Sequence, residues 1–458
     1  MRIVRESGAR CRWLAAALAL GVLAGCAGHG AGDGPPNLVI VLVDTVRADH
    51  LGYHGYGRET SPRIDAFAAR SQAFLQHYST SSRTEPAVAS IFTGLFPRSH
   101  GVLNPLTRID AKGILRDEHT TLAEILTASG YDCYGYVANF NVSDRFGFAQ
   151  GFADYAFCES AAAPDLRQRA SAVLAAARER PFFLYLHYME PHSHYAAPAK
   201  YRSLWVDPDY RGATDGSQGQ LNEIVTGRRT LAAADLAQLE AYYDQEIRYV
   251  DDEFAMLLDE IEARGLHGRT IVVFVADHGE EFLDHGSALH GYTLYEEQLH
   301  VPLVIHDPRR RDARRIEATS RHVDLLPTLL DLLGLPRPAL CQGQSLVPLL
   351  DERPAAPGEV AVLAEGSLRA AKTVRLQSLA AGGWKVIRNV LPAATVELYH
   401  LAEDPAERND LAAREPQVTQ RMLARLDEVL AGLPAAEGKT TALSDDEIRR
   451  LRSLGYVR

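Results

Sequence analysis

Two apolar runs that each end in an acidic residue constrain the fold of this chain more than any other feature. The first, Asn37–Val43 (NLVIVLV), is followed by Asp44, and the second, Ile271–Ala276 (IVVFVA), by Asp277 and His278. Such short β-branched runs are typical of strands buried on both faces of a parallel sheet. Open α/β sheets bind ligands at the carboxyl ends of their strands. We therefore expect these polar side chains at one sheet edge, where they could hold a divalent metal.

Strand and helix patterns alternate from residue 37 to about residue 345. Further apolar runs typical of strands lie at residues 182–187 and 301–305. Helical patterns lie at residues 61–71, 121–129, 165–178 and 233–264. This alternation predicts an α/β fold, in which a mainly parallel sheet is flanked by helices on both faces.

A threonine lies where a third segment is expected to begin a helix. Pro86 suits the first turn of a helix, which places Thr84 at or just before its start. Backbone N–H groups and the helix dipole favour an anion at that end. The Thr84 hydroxyl is either an ordinary helix cap or a nucleophile whose pKa is lowered by a metal.

Five segments, taken together and in order, resemble the motifs of the sulfatase family within the alkaline phosphatase superfamily. They are VDTVRAD (residues 43–49), residues 84–94 with Pro97 and His100-Gly101, HYMEPHSHY (187–195), ADHGE (276–280), and ELYHL (397–401) with Asp404-Pro405 and Glu407. The series spans nearly all of residues 37 to 412. The resemblance implies an alkaline-phosphatase-like central sheet and a small C-terminal antiparallel α+β subdomain.

The resemblance also implies the domain order. We expect a sulfatase-like catalytic domain at residues 37–350, the C-terminal subdomain at 351–412 and a helical tail at 413–458. Short strand-like segments after a Pro-containing junction at residues 353–358 are consistent with this division.

By the same resemblance, the site residues take separate roles. Asp44, Asp277 and His278 correspond to metal ligands, and Thr84 corresponds to the nucleophile that also contacts the metal. Two further histidines, His192 and His290, correspond to positions that bind or protonate the ester oxygens, a role that suits imidazole near neutral pH. Without the resemblance, each of the two would be interpreted as an ordinary loop histidine. The remaining candidates, His187 and His285, are expected to support the site or the fold.

The chain departs from the family pattern at the nucleophile. Formylglycine-dependent sulfatases carry Cys or Ser, then any residue, Pro, any residue and Arg, whereas this chain has Thr84 and, at the Arg position, Val88. Oxidation of a threonine would give a ketone and not the aldehyde that hydrates to the working diol. A formylglycine mechanism is therefore not expected.

The expected metal follows from a second departure. Thr45 replaces the second acid of the family's Asp-Asp pair, and calcium prefers several oxygen ligands. One divalent metal is expected, with zinc or manganese favoured and calcium as the alternative. A second metal at Glu190 and His194 would need both residues on a helix, whereas Pro191 favours a loop, so a second metal is not expected.

The favoured function is phosphoryl transfer from a phosphate mono- or diester through Thr84, by a hydrolase or a head-group transferase. Threonine nucleophiles occur in relatives of that kind. The alternatives are a sulfuric ester hydrolase that works without formylglycine, and a non-catalytic binding protein on a degenerate sulfatase fold. The expected partner is a small ester or a lipid or glycan head group.

The N-terminus predicts export and lipid anchoring. Basic residues in the first twelve positions precede an apolar stretch at residues 13–23, which is too short to span a bilayer comfortably. LAGC at residues 23–26 resembles a bacterial lipoprotein box, with residues 1–25 removed, Cys26 lipidated and residues 26–36 as a linker. Ala27 favours the periplasmic face of the outer membrane, and an ordinary secretory signal is the alternative. The net charge of −11 argues against nucleic acid as a partner.

Overall fold

The described part of the chain alternates strands and helices, as the sequence predicts. The structure is a computed structural model that describes residues 34–103, 110–159, 162–177, 180–353, 360–369 and 373–453. Its strands are β1 (Asn37–Val43), β2 (Gln72–Phe74), β3 (His77–Tyr78), β4 (Ala111–Gly113), β5 (Asp132–Val137), β6 (Asp154–Phe157), β7 (Phe182–Tyr188), β8 (Thr270–Ala276), β9 (Glu281–Phe282), β10 (Ala288–Leu289), β11 (Leu303–His306), β12 (Arg314–Ile316), β13 (Ser320–Arg321), β14 (Val362–Arg369), β15 (Thr373–Ala381), β16 (Trp384–Leu391), β17 (Thr395–His400) and β18 (Thr440–Ala442).

The helices lie between these strands and after them. They are α1 (Pro62–Ala68), α2 (Thr84–Thr93), α3 (Pro97–His100), α4 (Leu122–Ala128), α5 (Ala163–Ala176), α6 (Gln218–Val225), α7 (Ala233–Ala263), α8 (Glu296–Leu299), α9 (Leu325–Leu333), α10 (Val347–Leu350), α11 (Pro416–Gly432) and α12 (Asp445–Ser453). No helix among the described residues is long and apolar enough to cross a membrane.

The central sheet has eight strands in the order β12-β2-β11-β8-β1-β7-β5-β6. All the pairings from β8 through β1, β7 and β5 to β6 are parallel. Only β11 runs antiparallel to its two neighbours. The carboxyl ends of β8, β1, β7 and β5 therefore meet at one edge of the sheet. The predicted mainly parallel α/β fold is confirmed.

Alternate residues of the central strands enter two separate cores, one on each face of the sheet. In β1, Val39 and Val41 pack in the core that contains α1, α5 and α7. Leu38 and Ile40 pack in the core that contains α2, α4 and α9. Because both faces are covered, the strand reads as a continuous apolar run. This packing holds the site-bearing strand ends in fixed register.

A four-stranded antiparallel sheet, in the order β14-β15-β16-β17, forms the predicted C-terminal subdomain. It packs against α11 in a third core around Leu379, Leu398 and Leu426. The described residues from Gly34 onwards cluster as one compact unit. The division at residues 350 and 412 therefore stays a prediction.

The end of the chain returns to the catalytic region. We call residues 434–453, with β18 and α12, the strap. β18 pairs antiparallel with β4, which places Thr441 opposite Lys112. Ser444 and Glu447 form the predicted capping box at the start of α12. Near the end of α12, Leu451 is buried in the core beside α2 and α4.

The structure also corrects details of the sequence prediction. The strand predicted at residues 301–305 begins at Leu303, and the helix predicted at residues 61–71 ends at Ala68. β5 was not predicted at all. The proposed signal segment at residues 1–25 and most of the junction at residues 353–358 lie outside the described residues.

Candidate active site

Asp44 and Asp277 lie side by side because β1 and β8 are in register. Val43 pairs with Ala276, the last residue of each strand, so both acids follow directly paired positions. Both side chains are fully buried. The two apolar runs thus place two carboxylates at the same point of the sheet edge, as the sequence predicted.

Each carboxylate has one oxygen held by protein donors and one that is not. Asp277 Oδ1 accepts the N–H groups of Thr45 (3.1 Å) and His278 (2.9 Å). Asp44 Oδ2 lies 3.1 Å from His187 Nε2. Among the described residues, nothing hydrogen-bonds Asp44 Oδ1 or Asp277 Oδ2. Because an unpaired buried oxygen is destabilising, this pair fits a divalent cation.

The charges of the two acids also favour a bound cation. Burial and the negative charge of Asp44 raise the pKa of Asp277 to about 6. Burial opposes ionisation of Asp44 too, but the His187 hydrogen bond and nearby histidines hold its pKa below the ordinary value. Near neutral pH both groups are therefore anionic, and two adjacent buried anions need a cation between them.

His278 completes this group. Its Nδ1 lies 2.9 Å from the Gly279 carbonyl oxygen, so Nδ1 carries the proton and Nε2 presents a lone pair. That Nε2 lies 3.4 Å from Asp277 Oδ2, 3.9 Å from Asp44 Oδ1 and 3.2 Å from Thr84 Oγ1. The structure brings together all four residues expected to contact a metal.

Thr84 is the first residue of α2, with Arg83 as the N-cap. Its side chain is fully buried and lies at the positive end of the helix dipole. The prediction from Pro86 is confirmed. The hydroxyl therefore lies beside the carboxylates, at a point that favours a bound anion.

Two cations lie near Thr84, although the family's Arg position is apolar. Val88 is fully buried in the core beneath α2. Glu85 instead pairs with Arg83 (3.0 Å) and with Lys112, which comes from β4. All three side chains are at least 96% buried. Sequence reasoning missed Lys112, because nothing in a short loop strand signals a partner 27 residues away.

His192 and His290 meet above His278. The His290 ring centroid lies 4.4 Å from that of His278 and 4.9 Å from that of His192. Glu280 accepts from His290 Nδ1 (3.1 Å) and from the Tyr195 hydroxyl (3.2 Å). Burial lowers the pKa of both rings, that of His192 to about 4. The site thus collects three imidazoles, each with an acceptor at Nδ1, which for His192 is Ser193 O (2.7 Å).

His187 belongs to the site as a support for Asp44. Its Nε2 lies within 4.8 Å of ligand atoms of Asp44 and Asp277, which also makes it a geometric candidate for a metal ligand. However, its Nδ1 lies 3.1 Å from the Tyr185 hydroxyl, whose pKa burial raises well above its usual range. Tyr185 therefore stays protonated and donates, which leaves the proton on Nε2, facing Asp44. We interpret His187 as a donor to the carboxylate.

Asn139 is a site residue that the sequence did not reveal. It follows β5, the strand that was not predicted, and its side chain is fully buried. Its Nδ2 lies 2.5 Å from Asp44 Oδ2 and 3.4 Å from Thr84 Oγ1. An Asn after a short strand is an ordinary turn signal, so only the parallel pairing of β5 with β7 gives it a function.

Thr45 occupies the place of the family's second acid. Its φ is +56°, which is strained for a β-branched residue. Tyr243 holds this conformation, because its hydroxyl donates to Thr45 O (2.6 Å) and accepts from Arg47 N (2.9 Å). In this conformation the Thr45 N–H donates to Asp277 Oδ1 (3.1 Å). Thr45 therefore adds no charge to the site and contributes through its backbone.

Glu190 and His194, the second-metal pair considered from the sequence, lie on a loop. Residues 189–195 form a loop without a helix, with Glu190 largely buried and His194 exposed. The segment at residues 201–229, which contains α6, contacts this loop through hydrogen bonds from Tyr195 N to Gly216 O (3.3 Å) and from Ser193 Oγ to Gln218 Oε1 (3.1 Å).

Comparison with known proteins identifies the family. A family model described as sulfatase matches residues 36–335, and one described as the C-terminal part of N-sulphoglucosamine sulphohydrolase matches residues 290–433. The chain belongs to the sulfatase family. Enzymes of this family typically bind a divalent metal, and the four converging side chains could hold one.

Curated relatives of this sulfatase-family chain act in more than one way. It is 26% identical over 404 residues to the multifunctional alkaline phosphatase superfamily protein PehA of Trinickia caryophylli, covering 69% of this chain and 77% of that one. It is 23% identical over 386 residues to an arylsulfatase of Clostridium perfringens, covering 69% and 79%.

Solved structures share the fold. One is BT4656 in complex with its substrate D-glucosamine-2-N,6-O-disulfate, with a TM-score of 0.73, 18% identity and coverage of 87% of this chain and 98% of that one. Another is the phosphonate monoester hydrolase of Agrobacterium radiobacter, with a TM-score of 0.71, 20% identity and coverage of 86% and 95%. The chain is thus a hydrolase of the sulfatase type, from a superfamily that includes sulfuric and phosphonic ester hydrolases.

Proposed function

We propose that this protein is a metal-dependent hydrolase of phosphate or phosphonate esters that uses the Thr84 hydroxyl as its nucleophile. The observation that supports this most is the position of Thr84 Oγ1, 3.2 Å from His278 Nε2 and beside two carboxylate oxygens without partners among the described residues. Transfer of the same group to an acceptor alcohol, as in a head-group transferase, would use the same first step.

The threonine favours phosphorus over sulfur. A formylglycine diol can release its sulfate by breaking a bond to carbon, whereas a threonine ester cannot. A second nucleophile must therefore attack the phosphorus or sulfur atom of the Thr84 ester. By resemblance, threonine nucleophiles belong to relatives that move phosphoryl groups, and one structural neighbour is a phosphonate monoester hydrolase.

Asp44, Asp277, His278 and Thr84 would hold the divalent metal. Bound there, it would lower the pKa of the Thr84 hydroxyl and neutralise charge on the nonbridging oxygens of the ester. The donor set of two carboxylates, one imidazole and one hydroxyl favours zinc or manganese over calcium.

The residues of the chain would divide the reaction between them. Thr84 loses its proton to solvent and its Oγ forms a bond to phosphorus, while the bond from phosphorus to the leaving oxygen breaks. His192 or His290 gives a proton to that oxygen. An anionic ester against the two rings favours their charged, proton-donating form. Water then attacks the phosphorus and gives a proton to the same histidine, and Thr84 takes a proton back from solvent as the bond from its Oγ to phosphorus breaks and the phosphate leaves.

Sulfuric ester hydrolysis by the same hydroxyl is the second candidate. The curated relatives include an arylsulfatase, and one structural neighbour is bound to a sulfated glucosamine as its substrate. A third possibility, a non-catalytic binding protein, is disfavoured because a degenerate site has no reason to keep two buried carboxylate oxygens that have no hydrogen-bond partner in the described part of the chain.

We also propose, from the N-terminal sequence, that the protein is exported and anchored through a lipid on Cys26 in the bacterial cell envelope. Mass spectrometry of the N-terminal peptide from membranes should show a lipid on Cys26. An unmodified peptide that starts elsewhere would contradict the anchor.

Thr84→Ala tests the proposed reaction. Purified protein should be assayed with aryl phosphate, bis-aryl phosphate, aryl phosphonate and aryl sulfate, with zinc, manganese or calcium added. We expect Thr84→Ala to lower turnover by at least about 10³-fold, because the bond-forming oxygen is lost. Thr84→Ser keeps the hydroxyl and should retain measurable turnover. Metal content of each variant should be measured in parallel.

Three outcomes would contradict parts of the proposal. Turnover of aryl sulfate alone would remove the preference for phosphorus. Full activity in Thr84→Ala would remove the nucleophile. Absence of both metal and turnover in the wild-type protein would favour the binding-protein reading.

A further inference from the structure

The orientation of the Asn139 side chain is determined by its partners. The N–H of Asn141 lies 2.9 Å from Asn139 Oδ1, so that atom is the amide oxygen. The opposite atom faces Asp44 Oδ2, and an ionised carboxylate can only accept hydrogen bonds. The NH₂ group of Asn139 therefore points into the site.

The two N–H groups of Asn139 reach different members of the site. One lies against Asp44 Oδ2 (2.5 Å), where His187 Nε2 is the second donor (3.1 Å). The other faces Thr84 Oγ1 at 3.4 Å. With two donors on Oδ2, the Asp44 carboxylate cannot rotate freely, and Oδ1 is the oxygen that remains for a cation.

The contact with Thr84 is long in the ground state, where the hydroxyl is neutral. Hydrogen bonds to an ionised oxygen are shorter and roughly twice as strong. The contact should therefore tighten when Thr84 loses its proton. An interaction that becomes stronger as the negative charge develops on Thr84 lowers the energy barrier and so accelerates the reaction.

Resting on the proposed function, we propose that Asn139 is a catalytic residue that donates a hydrogen bond to Thr84 Oγ1 as that oxygen becomes negative. With its second N–H it holds Asp44 so that only Oδ1 is presented to the metal. A carboxylate at the same point would repel both Asp44 and the developing charge on Thr84.

Two variants distinguish the loss of the NH₂ donor from the loss of side-chain volume. Asn139→Asp keeps the volume and the acceptor for the Asn141 N–H but replaces the NH₂ group by an oxygen. Asn139→Ala removes the side chain. We expect kcat to fall by about 10²–10³-fold in both, as for the loss of one donor to a developing oxyanion. KM should change by less than about threefold.

Two readouts do not depend on turnover. Calorimetric titration with Mn²⁺ or Zn²⁺ should give one site in Asn139→Ala with a Kd within about tenfold of the wild type, because His187 still holds Asp44. Intact-mass analysis after mixing with aryl phosphate should show slower phosphorylation of Thr84. Asn409→Ala is the matched control, because Asn409 is exposed and uses only its backbone N–H.

The results distinguish failure of this inference from failure of the proposed function. Wild-type kcat in Asn139→Ala and Asn139→Asp, with an active parent, would overturn the role of Asn139 alone. A loss of activity that coincides with loss of metal or a lower melting temperature in both variants would show a structural role and overturn the inference. An inactive parent without an adduct on Thr84 would overturn both.

Discussion

At the scale of single residues, protein donors hydrogen-bond one oxygen of each of the two site carboxylates. Asp277 Oδ1 is held by two backbone N–H groups, and Asp44 Oδ2 by His187 and Asn139. The other two oxygens, Asp44 Oδ1 and Asp277 Oδ2, are fixed in position but accept no hydrogen bond from the described residues. The site is therefore preorganised for a cation, because little reorganisation is needed when the cation binds.

A second buried acid–histidine cluster has a different character. His285 Nδ1 lies 2.6 Å from Glu297 Oε1, its Nε2 lies 3.0 Å from Glu407 O, and its ring stacks on Tyr295 at 3.6 Å. Glu281, the third member, accepts from the Thr293 hydroxyl and from Ser287 N. Because these groups satisfy one another, we interpret the cluster as a support for the fold.

His285 gives a pH-dependent prediction. Burial works against its charged form, but the hydrogen bond to Glu297 and its charge raise the pKa to about 9. The raised pKa means that His285 stabilises the fold fully below its unfolded value, about 6.5, and that this contribution is lost as pH rises through 9. Melting temperatures of His285→Gln and the wild type should therefore differ most near pH 6 and converge near pH 10.

The control for this prediction is His267→Gln, because His267 is exposed. Its melting temperature should follow that of the wild type at every pH. A difference between His285→Gln and the wild type that stays constant from pH 6 to pH 10 would show that the charge of His285 is unimportant.

At the scale of elements, the strap joins the end of the chain to the residues around Thr84. β18 pairs with β4, which carries Lys112, and Arg450 lies over the ring of Phe140, the residue after Asn139. Arg145 binds Glu447 (3.0 Å), Thr441 Oγ1 (2.8 Å) and Ala442 O (2.8 Å). The strap therefore contacts the strand of Lys112, which pairs with Glu85 next to Thr84, and the residue next to Asn139.

Arg145→Ala should loosen the strap. Loss of three contacts that are partly exposed should lower stability by about 1–2 kcal/mol. It should also lower kcat several-fold, because Lys112 and Asn139 lose support. Thermal unfolding and steady-state kinetics measure the two effects. In the control Arg425→Ala, which removes only an exposed pair with Glu428, both should be unchanged. A drop in stability with an unchanged kcat would limit the strap to a structural role.

The elements differ in how much the sequence reveals. β1 and β8 are buried on both faces, so their composition alone identifies them, and the acids that follow them lie together at one sheet edge, as expected. β5 (DCYGYV) mixes polar, aromatic and glycine residues because two of its side chains are half-buried, and no periodicity identifies it. Asn139 and Lys112 were missed because their roles depend on contacts between distant segments, which local patterns do not encode.

At the scale of the whole molecule, the C-terminal sheet is fastened to the catalytic region by buried charges. Lys385 of β16 lies 2.9 Å from both Glu296 Oε1, in α8, and Glu407 Oε1. In addition, Glu365 N of β14 donates to Thr80 O, four residues before Thr84 (3.0 Å). These contacts make the C-terminal sheet part of the support for the site.

Lys385→Met tests this connection. It leaves two buried acids without their cation, which should lower the free energy of unfolding by about 3–5 kcal/mol. Calorimetry should still show a single transition if the two sheets unfold together. Lys200→Met is the control, because Lys200 is 64% exposed, and it should change stability by less than about 0.5 kcal/mol. A separate early transition in Lys385→Met would show instead that the C-terminal sheet unfolds by itself.

The pairing of Thr441 with Lys112 also has a consequence for synthesis. A ribosome makes β4 well before β18, so a chain halted before Ala442 lacks the strand that pairs with β4 beside Lys112. The segment around Lys112 therefore gains its pairing strand only after the other described strands have been made.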